Sequence, residues 1–279
     1  MADSFGDRVA AAVARTGPLC AGIDPSSELL EAWGLPDSTE GLRSFCATCV
    51  EAFAGVVGVV KPQVAFFERH GSAGLVELER LVAEAADAGL IVIADAKRGD
   101  IDSTAAAYAD AWLGGASPLA ADAVTVHPYL GLGALAPLVQ LASANGKGVI
   151  VVVRSSNPEG RDLQQAVTAG GSAVEDMLLA EIAQLNRSPE VLAGTVGAVV
   201  GATLEPSVFA LSQLGGVILA PGLGAQGAGP ADVAARFAGC RPGTVLPSSS
   251  RGLLNQGPDA VALRDRARTL NGELAAAMG

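Results

Sequence analysis

The chain has 279 residues, half of them hydrophobic, and a formal net charge of −11. That acidity argues against non-specific binding to nucleic acid or an anionic membrane. Mean hydropathy is high at +0.39, yet the apolar runs, such as GVILA at 216–220, fall far short of the roughly 20 residues a membrane helix needs. The opening MADSFGDR carries early acids and no apolar stretch, unlike a secretory leader, so a cytoplasmic location is expected.

In chain order, short apolar runs alternate with Ala/Leu/Glu-rich stretches. Strands are predicted at 19–24, 56–62, 90–97, 123–128, 148–156, 196–203, 216–222 and 244–250. Helices are predicted at 72–88, 103–113, 132–144, 173–186, 206–213, 230–238 and 258–277. Continuous apolar strands, without strict alternation, indicate a parallel sheet covered on both faces. Eight βα units over this length predict an α/β fold, a (β/α)8 TIM barrel forming one domain over 1–279, with a doubly wound open sheet as the competing arrangement. Two connections exceed what a minimal barrel needs, at 25–44 and 156–172, and the second is a lid candidate. Cys46-Ala-Thr-Cys49 has C-x-x-C spacing, but no second Cys or His pair completes a zinc set, and its apolar surroundings read as a helix holding ordinary buried thiols.

Polar residues collect where these strands end: Asp24, Lys61, Asp95, Lys97, His127, Arg154, Ser156 and Arg251. Barrel enzymes place their chemistry at those ends. In IADAKRGDI (93–101), Asp95 and Lys97 are two apart on a strand and project to one face. Asp100 follows a glycine and is free to aim out of its own barrel. A strand-end ion pair followed by an Asp helix cap is the plainer alternative. APGLGAQGAG (220–229) after the seventh strand fits G-x-G-x-x-G but lacks the acidic residue of a dinucleotide site. Gly222 and Gly224 suit backbone approach to a phosphate, with the Gln226 amide as a further donor and Arg251 as the opposing clamp.

GIDP at 22–25, KP at 61–62, DAKRGDI at 95–101, RSSNP at 154–158, PGLGAQG at 221–227 and SSSRG at 248–252 together resemble the orotidine 5′-monophosphate decarboxylase family. FFERHG (66–71) and the long first connection are similar to its longer bacterial subgroup. The resemblance implies a homodimeric barrel forming uridine monophosphate and carbon dioxide in pyrimidine biosynthesis, without metal or organic cofactor. It implies that Lys61, Asp95, Lys97 and Asp100 form a charged catalytic array, with Asp100 and Thr104 supplied by the partner subunit. Asp24 would then hold the ribose hydroxyls, Ser156 or its neighbour Ser155 the pyrimidine edge, and Gln226 with Arg251 the phosphate. Three other readings compete. A magnesium-dependent sugar-phosphate enzyme needs an acid where Lys61 stands. A Schiff-base aldolase needs a neutral Lys97, which Asp95 disfavours. A non-catalytic phosphate-binding barrel leaves the charge array without a purpose.

Overall fold

The computed structural model describes residues 3–205, 208–224 and 227–279. Its elements run α1 (Phe5–Thr16), β1 (Cys20–Ile23), α2 (Ser27–Ala32), α3 (Thr39–Phe53), β2 (Val59–Pro62), α4 (Ala65–Glu68), α5 (Gly71–Asp87) and β3 (Ile91–Arg98). They continue with α6 (Asp102–Leu113), β4 (Ala123–Val126), α7 (Ala136–Ala144), β5 (Gly148–Arg154), α8 (Arg161–Gln164) and α9 (Val174–Arg187). The last are β6 (Val196–Val200), β7 (Ile218–Pro221), α10 (Pro230–Arg236), β8 (Val245–Ser249), α11 (Arg251–Leu254) and α12 (Ala260–Met278). Parallel strands pair in sequence order from β1 to β8, and β8 returns to β1, closing the barrel. The open sheet is thereby excluded. No helix among the described residues is long and apolar enough to cross a membrane.

Strand alternation divides the core in two. Cys20, Val59, Ile91, Ile93, Ala123, Ile150, Val199, Leu219 and Leu246 fill the barrel interior, while their neighbours Ala21, Val60, Val92, Ala94 and Val124 pack against the helices. The floor is closed by α1, whose Phe5, Val9 and Ala12 join the interior cluster. A Cβ on Gly148 would lie 2.4 Å from the Phe5 ring, so only glycine at the start of β5 admits that plug. Ser4 caps α1, its hydroxyl accepting the Asp7 N–H at 3.1 Å.

Three segments depart from the sequence expectation. The α1 helix falls outside the predicted set. The long connection at 25–44 holds α2 and the start of α3, and is pinned where Trp33 stacks on Phe45 and donates its indole N–H to the Leu254 carbonyl at 2.9 Å. The helix predicted over 206–213 is a correction. Residues 206 and 207 lie outside the described residues, and beyond them only Leu211–Gln213 forms a 3-10 turn. The Phe209 N–H donates to Asp176 on α9 at 2.8 Å, and Ala210 is extended, so tertiary anchoring overrides helical propensity there. The 156–172 segment contains a 3-10 turn and α8, and its Val167 forms an antiparallel bridge to Ala173 just beyond it. Cys46 and Cys49 are buried on α3, and burial pushes both thiols up, away from the reactive thiolate form.

Candidate active site

Two residues above the interior layer, the same alternation that buries Val59, Ile93 and Ala123 aims Lys61, Asp95 and Thr125 into the mouth. Asp95 is the hub. Its Oδ2 accepts Lys61 Nζ at 2.9 Å and Gln63 Nε2 at 3.0 Å. Its Oδ1 accepts Lys97 Nζ at 2.5 Å and the Thr125 hydroxyl at 2.8 Å. Four donors fill the acceptor capacity of a carboxylate.

Burial works to raise the Asp95 pKa, but Lys61 and Lys97 overcome it and hold the carboxyl well below the usual range. Burial likewise works against the Lys61 ammonium, and Asp95 and Asp24 reverse it, raising its pKa. Lys61 is 6% exposed and Asp95 7%, whereas the Lys97 side chain keeps 40% of its surface open. The anchored ammonium is therefore Lys61, and the one presented to a ligand is Lys97. His127, at the end of β4, has its imidazole pKa lowered by burial and by the Lys97 charge.

The backbone is unusual here as well. Lys97 sits at φ +47° and Asp102 at +48°, left-handed values that cost a non-glycine residue about 1–2 kcal/mol. The register explains the first: β3 pairs β4 as Ala94 with Val124 and then Arg98 with Val126, so four residues of advance on β3 meet two on β4. Such bulges re-aim side chains beside active sites. Past it, Gly99 passes so close to β4 that a Cβ would stand 2.6 Å from the His127 carbonyl oxygen.

A cavity of about 310 Å³ covers this array. Its walls include Asp24, Lys61, Gln63, Asp95, Lys97, Ser155, Ser156, Gly222, Ser250 and Arg251. A larger cavity of about 560 Å³, among the ends of α1, α10 and α12, is lined mainly by apolar side chains and backbone with Arg241 and Cys240. Chemistry-bearing side chains converge in the smaller one. Asp24 points an oxygen into the protein that is buried and has no hydrogen-bond partner among the described residues, the state of an acceptor awaiting a hydroxyl. Just beyond β8, Arg251 opens α11, exposed and without an ion pair among the described residues.

A profile of the orotidine 5′-phosphate decarboxylase / HUMPS family matches residues 17–265. The chain is 51% identical over 276 residues to an orotidine 5′-phosphate decarboxylase of Salinispora tropica, covering 99% of each. A crystal structure from Streptomyces avermitilis, described as that of a candidate orotidine 5′-phosphate decarboxylase, superposes with TM-score 0.94 at 50% identity, covering 99% of this chain and 96% of that one. The Leishmania donovani OMP decarboxylase structure superposes at TM-score 0.76 and 28% identity, covering 99% of this chain and 98% of that one. This chain belongs to the orotidine 5′-phosphate decarboxylase / HUMPS family.

Within that family frame, the expected residues divide into four groups. Asp24, Lys61, Asp95, Lys97, Ser155, Ser156, Gly222 and Arg251 share one cavity. Gly224 stands just beyond its lining, its N–H donating to the Ala228 carbonyl at 2.9 Å. Gln226 lies outside the described residues. Asp100 and Thr104 stand apart from the cavity of their own chain: Asp100 receives the Ile101 N–H at 2.8 Å, and Thr104 is exposed on α6. The plainer reading of the segment fails in part, because the ion pair forms but α6 begins at Asp102, with Ile101 at its N-cap and no side-chain cap bond. Arg154 pairs with the buried Glu175 at 2.7 Å and is absent from the cavity wall. Sequence reasoning missed Gln63 and Thr125. Gln63 stands two residues after Lys61 and Thr125 two before His127, both strand-end residues already singled out, and that spacing was the available signal.

Proposed function

We propose that this chain decarboxylates orotidine 5′-monophosphate to uridine 5′-monophosphate and carbon dioxide, as a carboxy-lyase of pyrimidine biosynthesis. The observation that carries the reading is that the Lys61–Asp95–Lys97 array and Arg251 line one cavity of about 310 Å³. Relatives named for that activity match along 99% of the chain.

Loss of carbon dioxide from C6 of the pyrimidine leaves a carbanion with no conjugated sink. Lys97, held at Asp95 and open to the cavity, stabilises that charge electrostatically and then delivers a proton to C6. Asp95, kept ionised by two ammoniums, stands beside the departing carboxylate and fixes Lys97. Asp24 takes the ribose hydroxyls, Ser156 or Ser155 the pyrimidine edge, and Arg251 with Gly222, Gly224 and Gln226 the phosphate. Phosphate binding energy, remote from C6, closes the lid and is realised in the transition state. The active unit is a homodimer in which Asp100 and Thr104 complete the partner's site. No metal or organic cofactor takes part: where magnesium chemistry needs a carboxylate at the end of β2, this chain has the Lys61 ammonium, bonded to Asp95.

Loss of orotate absorbance on adding orotidine monophosphate to EDTA-treated protein tests the reading. Folded protein that leaves the absorbance unchanged overturns it.

A further inference from the structure

One hydroxyl joins both ends of Lys97. The Lys97 backbone N–H donates to Thr125 Oγ1 at 3.0 Å, Thr125 Oγ1 donates to Asp95 Oδ1 at 2.8 Å, and that same Oδ1 accepts Lys97 Nζ at 2.5 Å. The ring runs from the lysine's backbone through two side chains back to its own ammonium. Thr125 is fully buried, and the β3–β4 ladder is interrupted between Ala94 and Arg98, where Lys97 lies. The hydroxyl stands in for the missing ladder acceptor while Lys97 holds its left-handed φ of +47°. A left-handed lysine persists only where its surroundings over-determine it.

We propose that Thr125 is a positioning residue, which locks the bulged backbone of Lys97 and the Asp95 carboxylate into one unit and so fixes where the Lys97 ammonium stands. A hydroxyl is required because the group must accept from one partner and donate to the other at once. Valine matches the shape of threonine but does neither, and serine does both. The kinetic consequence rests on the decarboxylase reading; the structural consequence does not.

The test compares wild type, Thr125→Val and Thr125→Ser by steady-state turnover of orotidine monophosphate and by crystal structures. In Thr125→Val, kcat is expected to fall about 10- to 100-fold with KM within about twofold, the signature of a misplaced reacting group. Its Lys97 should leave the left-handed region and lose the contact with Asp95 Oδ1. Thr125→Ser should stay within about threefold of wild type in kcat and keep the Lys97 conformation, since it retains both hydrogen bonds. A valine variant with unchanged kcat, or one whose Lys97 keeps its φ and its carboxylate contact, overturns the proposal. So does a serine variant more than about tenfold slower than wild type in kcat, and that arm decides alone if the valine protein does not fold. If wild type fails to turn over the nucleotide, the decarboxylase reading falls, and the crystallographic comparison still decides the role of Thr125.

Discussion

The two sides of the barrel mouth are built in opposite ways. At the ends of β2, β3 and β4 the charges are assembled and saturated: Asp95 accepts four hydrogen bonds, and Lys61 is buried against it. At the ends of β7 and β8 the groups are unassembled, with an exposed Arg251 and a glycine-rich loop in which Gly222 and Gly224 have φ of +114° and +75°. On the decarboxylase reading proposed above, the first side holds its charges where the transition state needs them, with no reorganisation at the moment of reaction. On the same reading the second side binds the phosphate, whose binding energy is available to drive closure. Changes on the first side should therefore appear in kcat, and changes on the second in binding.

Lys97→Ala gives the largest expected effect. On the proposed mechanism it removes both the proton donor and the facing cation, so turnover should fall at least about 10³-fold while uridine monophosphate still binds. Near-normal turnover would erase the distinction between the two sides. Arg251→Ala comes next. A charge-assisted hydrogen bond is worth about 1.5–3 kcal/mol, which corresponds to roughly 10- to 150-fold weaker nucleotide binding. Calorimetry with uridine monophosphate measures it, and unchanged affinity would move the phosphate site off the β8 end.

A third outcome concerns what the saturated side lacks within one chain. Asp100 does not reach its own cavity. If it serves the partner, refolding an equal mixture of Lys97→Ala and Asp100→Asn chains makes half the dimers mixed. Each mixed dimer then holds one doubly damaged site and one intact site, so about a quarter of wild-type activity should return. Activity near zero would place Asp100 in its own barrel.

Much of this division was legible in the sequence, and the remainder was hidden for physical reasons. Apolar runs located all eight strands, because strands covered on both faces have no room for polar residues before their ends. Strand alternation placed Asp95 and Lys97 together. Thr125 and Gln63 escaped notice because their role depends on inter-strand register, and the β3–β4 register shifts within the site itself. The α1 helix was missed because its apolar stripe of Phe5, Val9 and Ala12 gains meaning only against a barrel floor. The 206–213 segment misled in the other direction, its composition favouring a helix that the Phe209–Asp176 bond replaces.

The smallest expected effect follows from the titration of the hub. Asp95 has its pKa depressed in the folded protein by Lys61 and Lys97 against the opposing effect of burial. A depressed carboxyl contributes stability that is fully present above its unfolded pKa, near 3.9, and is lost as pH falls through the folded value. Lys61 is shifted upward, so its contribution is intact in acid and is lost only above about 10.4. Acid therefore isolates the carboxyl. Between pH 5 and pH 3 the unfolded chain takes up most of a proton at this position while the folded one does not, which costs about 1 kcal/mol. Asp95→Asn has no such proton to bind. It should be less stable than wild type at pH 5, because two ammoniums then face a neutral amide, yet its stability should decline by about 1 kcal/mol less over that interval. Urea titrations of both proteins at the two pH values measure the difference. Parallel losses would mean that Asp95 titrates normally in the folded chain, and that the charges at the β3 end are no more prearranged than those at the β8 end.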